Sequence, residues 1–138
     1  MLAAMIPIGT ALQTTGVSSL IATSISTYAS SLSLFWILLI ILIVTMVTTD
    51  IINNAATAVI MAPISTGIAL ELGYAIEPFL MVVAVGASCA FLTPIGHQCN
   101  TVVMGPGNYK FTDYWRMGLP MDILIILASI PMILFVWT

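Results

Sequence analysis

Charge is what this sequence has least of. Its 138 residues include five acids, two bases and one histidine, and Met1 to Thr49 contains no Asp, Glu, Lys, Arg or His. A soluble domain carries about 25% charged residues. At 5%, a water-facing surface could not be covered. The two bases, Lys110 and Arg116, form no basic patch, so nucleic-acid binding is not expected. The two cysteines, Cys89 and Cys99, stand in no CxxC or Cys/His ligand spacing. They read as small hydrophobes rather than as a disulfide or metal centre. No basic segment precedes the first apolar run and no cleavage site follows it, so no signal peptide is predicted. No Ser/His, Asp/Asp or HExxH set is present, which leaves an intramembrane enzyme without support. No cofactor is expected.

What the sequence has in abundance is apolar residues, 61% of the total. Lipid is the natural solvent for such a chain, and its length allows roughly four to six crossing or half-crossing segments. No room is left for a separate soluble domain. The chain opens inside an apolar run, which suggests a fragment or a short product of a longer gene.

Leu2 to Leu12 is apolar but too short to span, with Gly16 a candidate helix-ending glycine. Val17 to Tyr28 is rich in Ser and Thr and reads either as an interfacial segment or as one packed against other helices through small residues. Ser31 or Ser33 can cap the next helix. Leu34 to Thr48 is apolar all round, as a membrane helix is. Asp50-Ile51-Ile52-Asn53-Asn54 then places a carboxylate and two carboxamides between apolar runs. A helix is predicted from Ala55 to Leu72, ended by Gly73, and a second strong apolar helix over Phe79 to Leu92. That one breaks at Thr93-Pro94-Ile95-Gly96, followed by His97, Gln98 and Asn100. Gly105 to Asn108 reads as a turn, Phe111 to Arg116 as a short interfacial segment, and Leu119 to Trp137 as a last span. Glu71, Glu77, Asp113 and Asp122 are expected at the interface.

Two polar, helix-breaking clusters in one small membrane chain need a cause. Irregular backbone at membrane depth is tolerated only where protein buries it or a wet cavity receives it. Transporters use such breaks: half-helix N-termini face an anionic substrate, and unwound carbonyls hold a coupling cation. In the first cluster Asn53 or Asn54 would cap the helix that begins near Ala55. In the second, Pro94 would free the carbonyl of Ala90 if the segment were helical, and Gly96 allows a tight turn. Freed carbonyls and Asn100 would make an oxygen shell suited to sodium. The plainer reading of each cluster is a turn or a kink whose polar groups satisfy one another. Asp50 is either an intramembrane functional acid or a residue at headgroup level. His97 could contact substrate or carry a proton, or simply hydrogen-bond within its loop.

At these clusters the sequence resembles the divalent anion:sodium symporter family, and its sulfate-permease-like branch in particular. The resemblance is carried by Ser88 to Val103, continuing from Gly105 to Pro120, and by Thr49 to Pro63. The latter looks like the re-entrant hairpin bearing the family's Ser-Asn-Thr tip. It implies that residues 1–138 are a single membrane domain, the second of the family's two inverted repeats. The implied fold class is an all-α integral membrane bundle with a re-entrant helical hairpin and a broken, unwound transmembrane helix. The implied function is sodium-coupled transport of a small divalent anion, a sulfate-like oxyanion or a dicarboxylate, by an elevator-type movement. The other repeat and a homodimer would be partners, with the lipid bilayer around them. Carried over residue by residue, Thr49, Ile52, Asn54, Gly96 and Asn100 would surround sodium, and Asn54, Ala55, His97 and Gln98 would face substrate. The tip departs from the family by having Ala55 where a threonine is expected. His97-Gln98 stands where dicarboxylate members carry small residues or proline. Both departures point toward an anion such as sulfate. Lys110 and Arg116 share a loop, which the positive-inside tendency places in the cytoplasm of a plasma or inner membrane. The alternative is a non-transporting membrane subunit or truncated remnant with a structural role.

Overall fold

The computed structural model describes residues 32–137 and, before them, Pro7, Ala11, Thr14, Thr15, Gly16, Leu20, Thr23 and Ser24. The expected segments Leu2–Leu12 and Val17–Tyr28 and the cap at Ser31 thus fall largely outside the described residues. Gly16 does hold φ 71°, the left-handed geometry of a helix-ending glycine.

The remaining chain forms helices α1 (Leu34–Ile51), α2 (Asn54–Leu72), α3 (Ile76–Ser88), α4 (Gln98–Met104) and α5 (Phe111–Trp137). No strand occurs among the described residues. Helices α1, α2 and α5 are each long and apolar enough to cross a membrane. The protein is a helical integral membrane protein.

Helix α1 is apolar on every side, and its neighbours decide which side is buried. Leu38, Leu42 and Thr45 are fully enclosed, while Trp36, Ile40 and Val47 are exposed. Helix α3 is the centre of the bundle and packs on α1, α2 and α5. Its Phe79 and Val82 are completely buried, as is Leu38 of α1, and Ile68 of α2 and Ile130 of α5 are nearly so. Gly86 sets the α1–α3 distance: a Cβ there would lie 2.9 Å from Thr45 Cβ. Gly73 ends α2 with φ 72° and its N–H bonded to the Ala69 and Leu70 carbonyls, the stop the sequence indicates.

Two elements differ from expectation. Helix α3 begins at Ile76 and ends at Ser88, so Cys89 to Leu92, apolar though they are, lie outside it. Helix α5 runs unbroken for 27 residues, so the interfacial segment and the last span are one element. Pro120 does not divide it, since the carbonyl it would leave unpaired is that of exposed Arg116.

Candidate functional site

The connection between α1 and α2 is only Ile52 and Asn53, both extended. Asn53 is the cap. Its Oδ1 accepts the Ala56 N–H at 2.9 Å, and its carbonyl accepts the Thr57 N–H at 3.0 Å. That settles which asparagine serves the helix and leaves Asn54 for another task. Asn54 turns back on α1, placing Oδ1 2.9 Å from the hydroxyl of Thr49. The same hydroxyl lies 2.9 Å from the carbonyl oxygen of Ala87 on α3. Thr45, one turn earlier, bonds the Ile41 carbonyl of its own helix, the usual habit of a helical threonine. Thr49, fully buried, instead joins three segments. Its single proton can serve one of the two acceptors at a time.

The second break lies against the first. Past Ser88, side chains stand in for the backbone ladder. Asp50 Oδ1 accepts the Leu92 N–H at 3.2 Å, and Thr93 donates its hydroxyl proton to the Asp50 carbonyl at 2.7 Å. The Thr93 hydroxyl in turn accepts from the Gly96 N–H at 3.2 Å. Gly96 lies so close that a Cβ would stand 3.0 Å from the Thr49 carbonyl oxygen and 2.8 Å from Ala90 Cβ. The chain resumes as α4 with His97 at its cap, Nδ1 accepting the Cys99 N–H at 3.2 Å.

Thr49 therefore touches both breaks, Asn54 through its hydroxyl and Gly96 beside its carbonyl. Asn100 is half-buried and its amide nitrogen donates to the Ala90 carbonyl at 3.0 Å. The Ala90 carbonyl, expected to be free only if the segment were helical, lies outside any helix and takes the Asn100 amide instead, which leaves the carboxamide oxygen of Asn100 to meet an ion. Ile52 and Ala55 are exposed at the tip. His97 and Gln98 are also exposed, and no hydrogen bond joins either to Asn54. Among the described residues no group of three or more His, Cys, Asp or Glu could hold a metal. The oxygens around Thr49 are of the kind a hard cation takes. On the other side of α4, Asn100, Val103, Tyr109 and Tyr114 help line a cavity of about 310 Å³, mostly aromatic and apolar.

Sequence reasoning missed two contributors. Asp122, expected at the interface, is 8% exposed, inside the bundle. Tyr114 donates to the Asn100 carbonyl at 2.8 Å. A signal for both was present: Tyr114, Gly118 and Asp122 recur every four residues, the spacing of one helix face.

Over all of its residues, 1–138, the chain matches the family described as the sodium:sulfate symporter transmembrane region. The chain belongs to this family. Among its relatives is an uncharacterised transporter of Synechocystis, 37% identical over 137 residues, which covers 99% of this chain and 22% of that protein. Sodium/sulfate cotransporter 2 of Chlamydomonas reinhardtii is 29% identical over 81 residues, 59% of this chain and 9% of its own length. A sodium-dependent dicarboxylate transporter of Staphylococcus saprophyticus is 28% identical over 89 residues, 63% of this chain and 17% of its own length. The chain thus spans about a fifth of the Synechocystis relative. Membership of a family of symporters points to translocation rather than to an enzyme.

Proposed function

We propose that this chain supplies the C-terminal repeat of a sodium-coupled transporter for a small divalent anion. The observation that carries the reading is the meeting of Thr49 Oγ1, Asn54 Oδ1 and the Ala87 carbonyl oxygen, each pair through Thr49 at 2.9 Å. Two acceptor oxygens from different segments compete for the one proton of the Thr49 hydroxyl. A sodium ion would accept all three oxygens without competition, since hard cations take oxygen ligands of mixed type. Gly96 and the carboxamide oxygen of Asn100 close the site from the second break, and the backbone at Ile52 closes it from the tip.

The anion would sit at the N-terminus of α2. Helix N-termini attract anions through the dipole and unpaired N–H groups, and the small side chain of Ala55 lets a ligand approach. Asn54 would contact sodium and anion together, which couples them. His97 and Gln98 would approach the anion from the second break when the other repeat is present. With no threonine at position 55, a sulfate-like oxyanion fits better than a dicarboxylate. In this reading the companion repeat and a homodimer complete the transporter, and the hairpin tip lies within the membrane. Lys110 and Arg116, the latter in the first turns of α5 rather than in a shared loop, face the cytoplasm of a plasma or inner membrane.

The test is uptake of labelled sulfate and succinate into proteoliposomes, with and without sodium. It should use the chain alone and the chain joined to a matching first repeat. Sodium-stimulated uptake is expected of the joined protein. Asn54→Ala should abolish the sodium stimulation and leave membrane insertion intact. Sodium-driven uptake that survives this substitution would remove Asn54 from the site.

A further inference from the structure

Two carboxylates that the transport reading leaves unused lie inside the bundle. Asp50 is 5% exposed and Asp122 8%. Asp50 spends one oxygen on the Leu92 N–H. Among the described residues its Oδ2 has no partner, and neither has Oδ1 of Asp122.

The fold brings these two acids together from different helices. Along α5, Tyr114, Gly118 and Asp122 form one stripe against the second break. Tyr114 holds the Asn100 carbonyl. Gly118 lies flat on the chain: a Cβ there would be 2.5 Å from the Phe91 carbonyl oxygen and 3.1 Å from the Leu92 nitrogen. That nitrogen is the one bonded to Asp50. Asp122 follows one turn later on the same face, within electrostatic reach of Asp50. The Phe91 carbonyl, turned toward this face, accepts no hydrogen bond among the described residues.

No positive side chain compensates these acids. Lys110, Arg116 and His97 are all exposed. The other titratable group within reach of both acids is the buried thiol of Cys89, which carries no positive charge. Two unpaired carboxylates in a membrane interior are strongly unfavourable. Carboxylate and carbonyl oxygens without nitrogen or sulfur are the ligands of a small hard cation.

We propose that Asp50, Asp122 and the Phe91 carbonyl form a second cation site between α1 and α5, which takes a hard monovalent cation of sodium's class. It is distinct from the Thr49 cluster. Successive helical residues point roughly 100° apart, and Thr49 faces Ala87 and Asn54 while Asp50 faces Leu92. The site stands on its own geometry, whichever ion the hairpin tip takes.

The test is equilibrium binding of radioactive sodium to the full chain in detergent micelles at fixed pH, with choline as the balancing cation. Two sodium ions per chain are expected, falling to one in Asp122→Asn and in Asp50→Asn. Asp122→Glu keeps the charge but displaces it by one methylene, and should weaken the second site severalfold. Circular dichroism checks that each variant is folded, and Asp122→Glu carries the test if the neutral variants are not. Neutral variants that keep the wild-type count, or an Asp122→Glu affinity equal to wild type, would overturn the proposal. So would one sodium in both wild type and Asp122→Asn, the pattern of a site neutralised by a proton. Asn54→Ala should also lose one ion. If it keeps two while Asp122→Asn keeps one, the hairpin-tip reading fails and the acid site stands.

Discussion

Alanine at Gly96 should destabilise the protein, although alanine for glycine often does the reverse. Gly96 is not at positive φ, so alanine can adopt its backbone. On that ground alone the substitution would stabilise by about 0.4–1 kcal/mol, through the lower entropy of the unfolded chain. The new Cβ, however, would stand 2.8 Å from Ala90 Cβ, 3.0 Å from the Thr49 carbonyl oxygen and 3.1 Å from Asp50 Cα. Two of these are backbone atoms that no rotamer change can move. Overpacking of this kind costs about 1–3 kcal/mol, so the net effect is a loss of roughly 0.5–2 kcal/mol. Gly105 supplies the control. It has helical φ −67° and ψ −62°, and a Cβ there would meet nothing within 4 Å. Gly105→Ala meets no such packing clash, and only the strain of helical φ/ψ before Pro106 opposes its entropic gain, so it should cost less than Gly96→Ala. The two substitutions are chemically identical, and Gly96→Ala should be the more destabilising in thermal or denaturant unfolding followed by circular dichroism in mild detergent. If Gly96→Ala proved as stable as Gly105→Ala, the two breaks would not be in contact.

Asn53→Ala should cost about 1 kcal/mol through loss of the cap on α2, with Asn53→Asp or Asn53→Ser recovering most of it, in the same unfolding assay. Tyr114→Phe removes one bond to the Asn100 carbonyl and should cost about 0.5–1.5 kcal/mol. Hydrogen exchange should show its effect concentrated in α4. Gly118→Ala sets a methyl against the Phe91 carbonyl and should cost about 1–3 kcal/mol, with faster exchange at the Leu92 amide.

The long elements were legible because each depends on its own residues. The all-apolar run from Leu34, the cap before Ala55 and the stop at Gly73 gave α1 and α2 to within a few residues. The end of α3 was not legible. Cys89 to Leu92 is as apolar as the helix before it, and hydropathy does not say where a backbone bonds. The helix stops there because its groups find partners elsewhere: Thr49 takes the Ala87 carbonyl, Asp50 the Leu92 N–H, and Asn100 the Ala90 carbonyl. These partners are 38, 42 and 10 residues away, and periodicity has no access to them. The same holds for Asp122, whose burial depends on Gly118 letting α5 approach Phe91. In α5 the mixed aromatic and charged stretch Phe111 to Arg116 read as a separate segment, yet Pro120 leaves its unpaired carbonyl at an exposed turn and the helix continues.

The two-residue link between α1 and α2 constrains how this molecule can move. With Ile52 N–H held by the Thr48 carbonyl and the Thr57 N–H held by Asn53, the corner has no slack to take up a change of angle. Helices of 18 and 19 residues are about 27 and 28 Å long, and both end at this corner. Displacing the corner by several ångströms therefore means hauling both rods as one body, with α3 wedged alongside them. Probes at Trp36 and Leu70, near the far ends of the two rods, would then keep their separation in every state the protein visits.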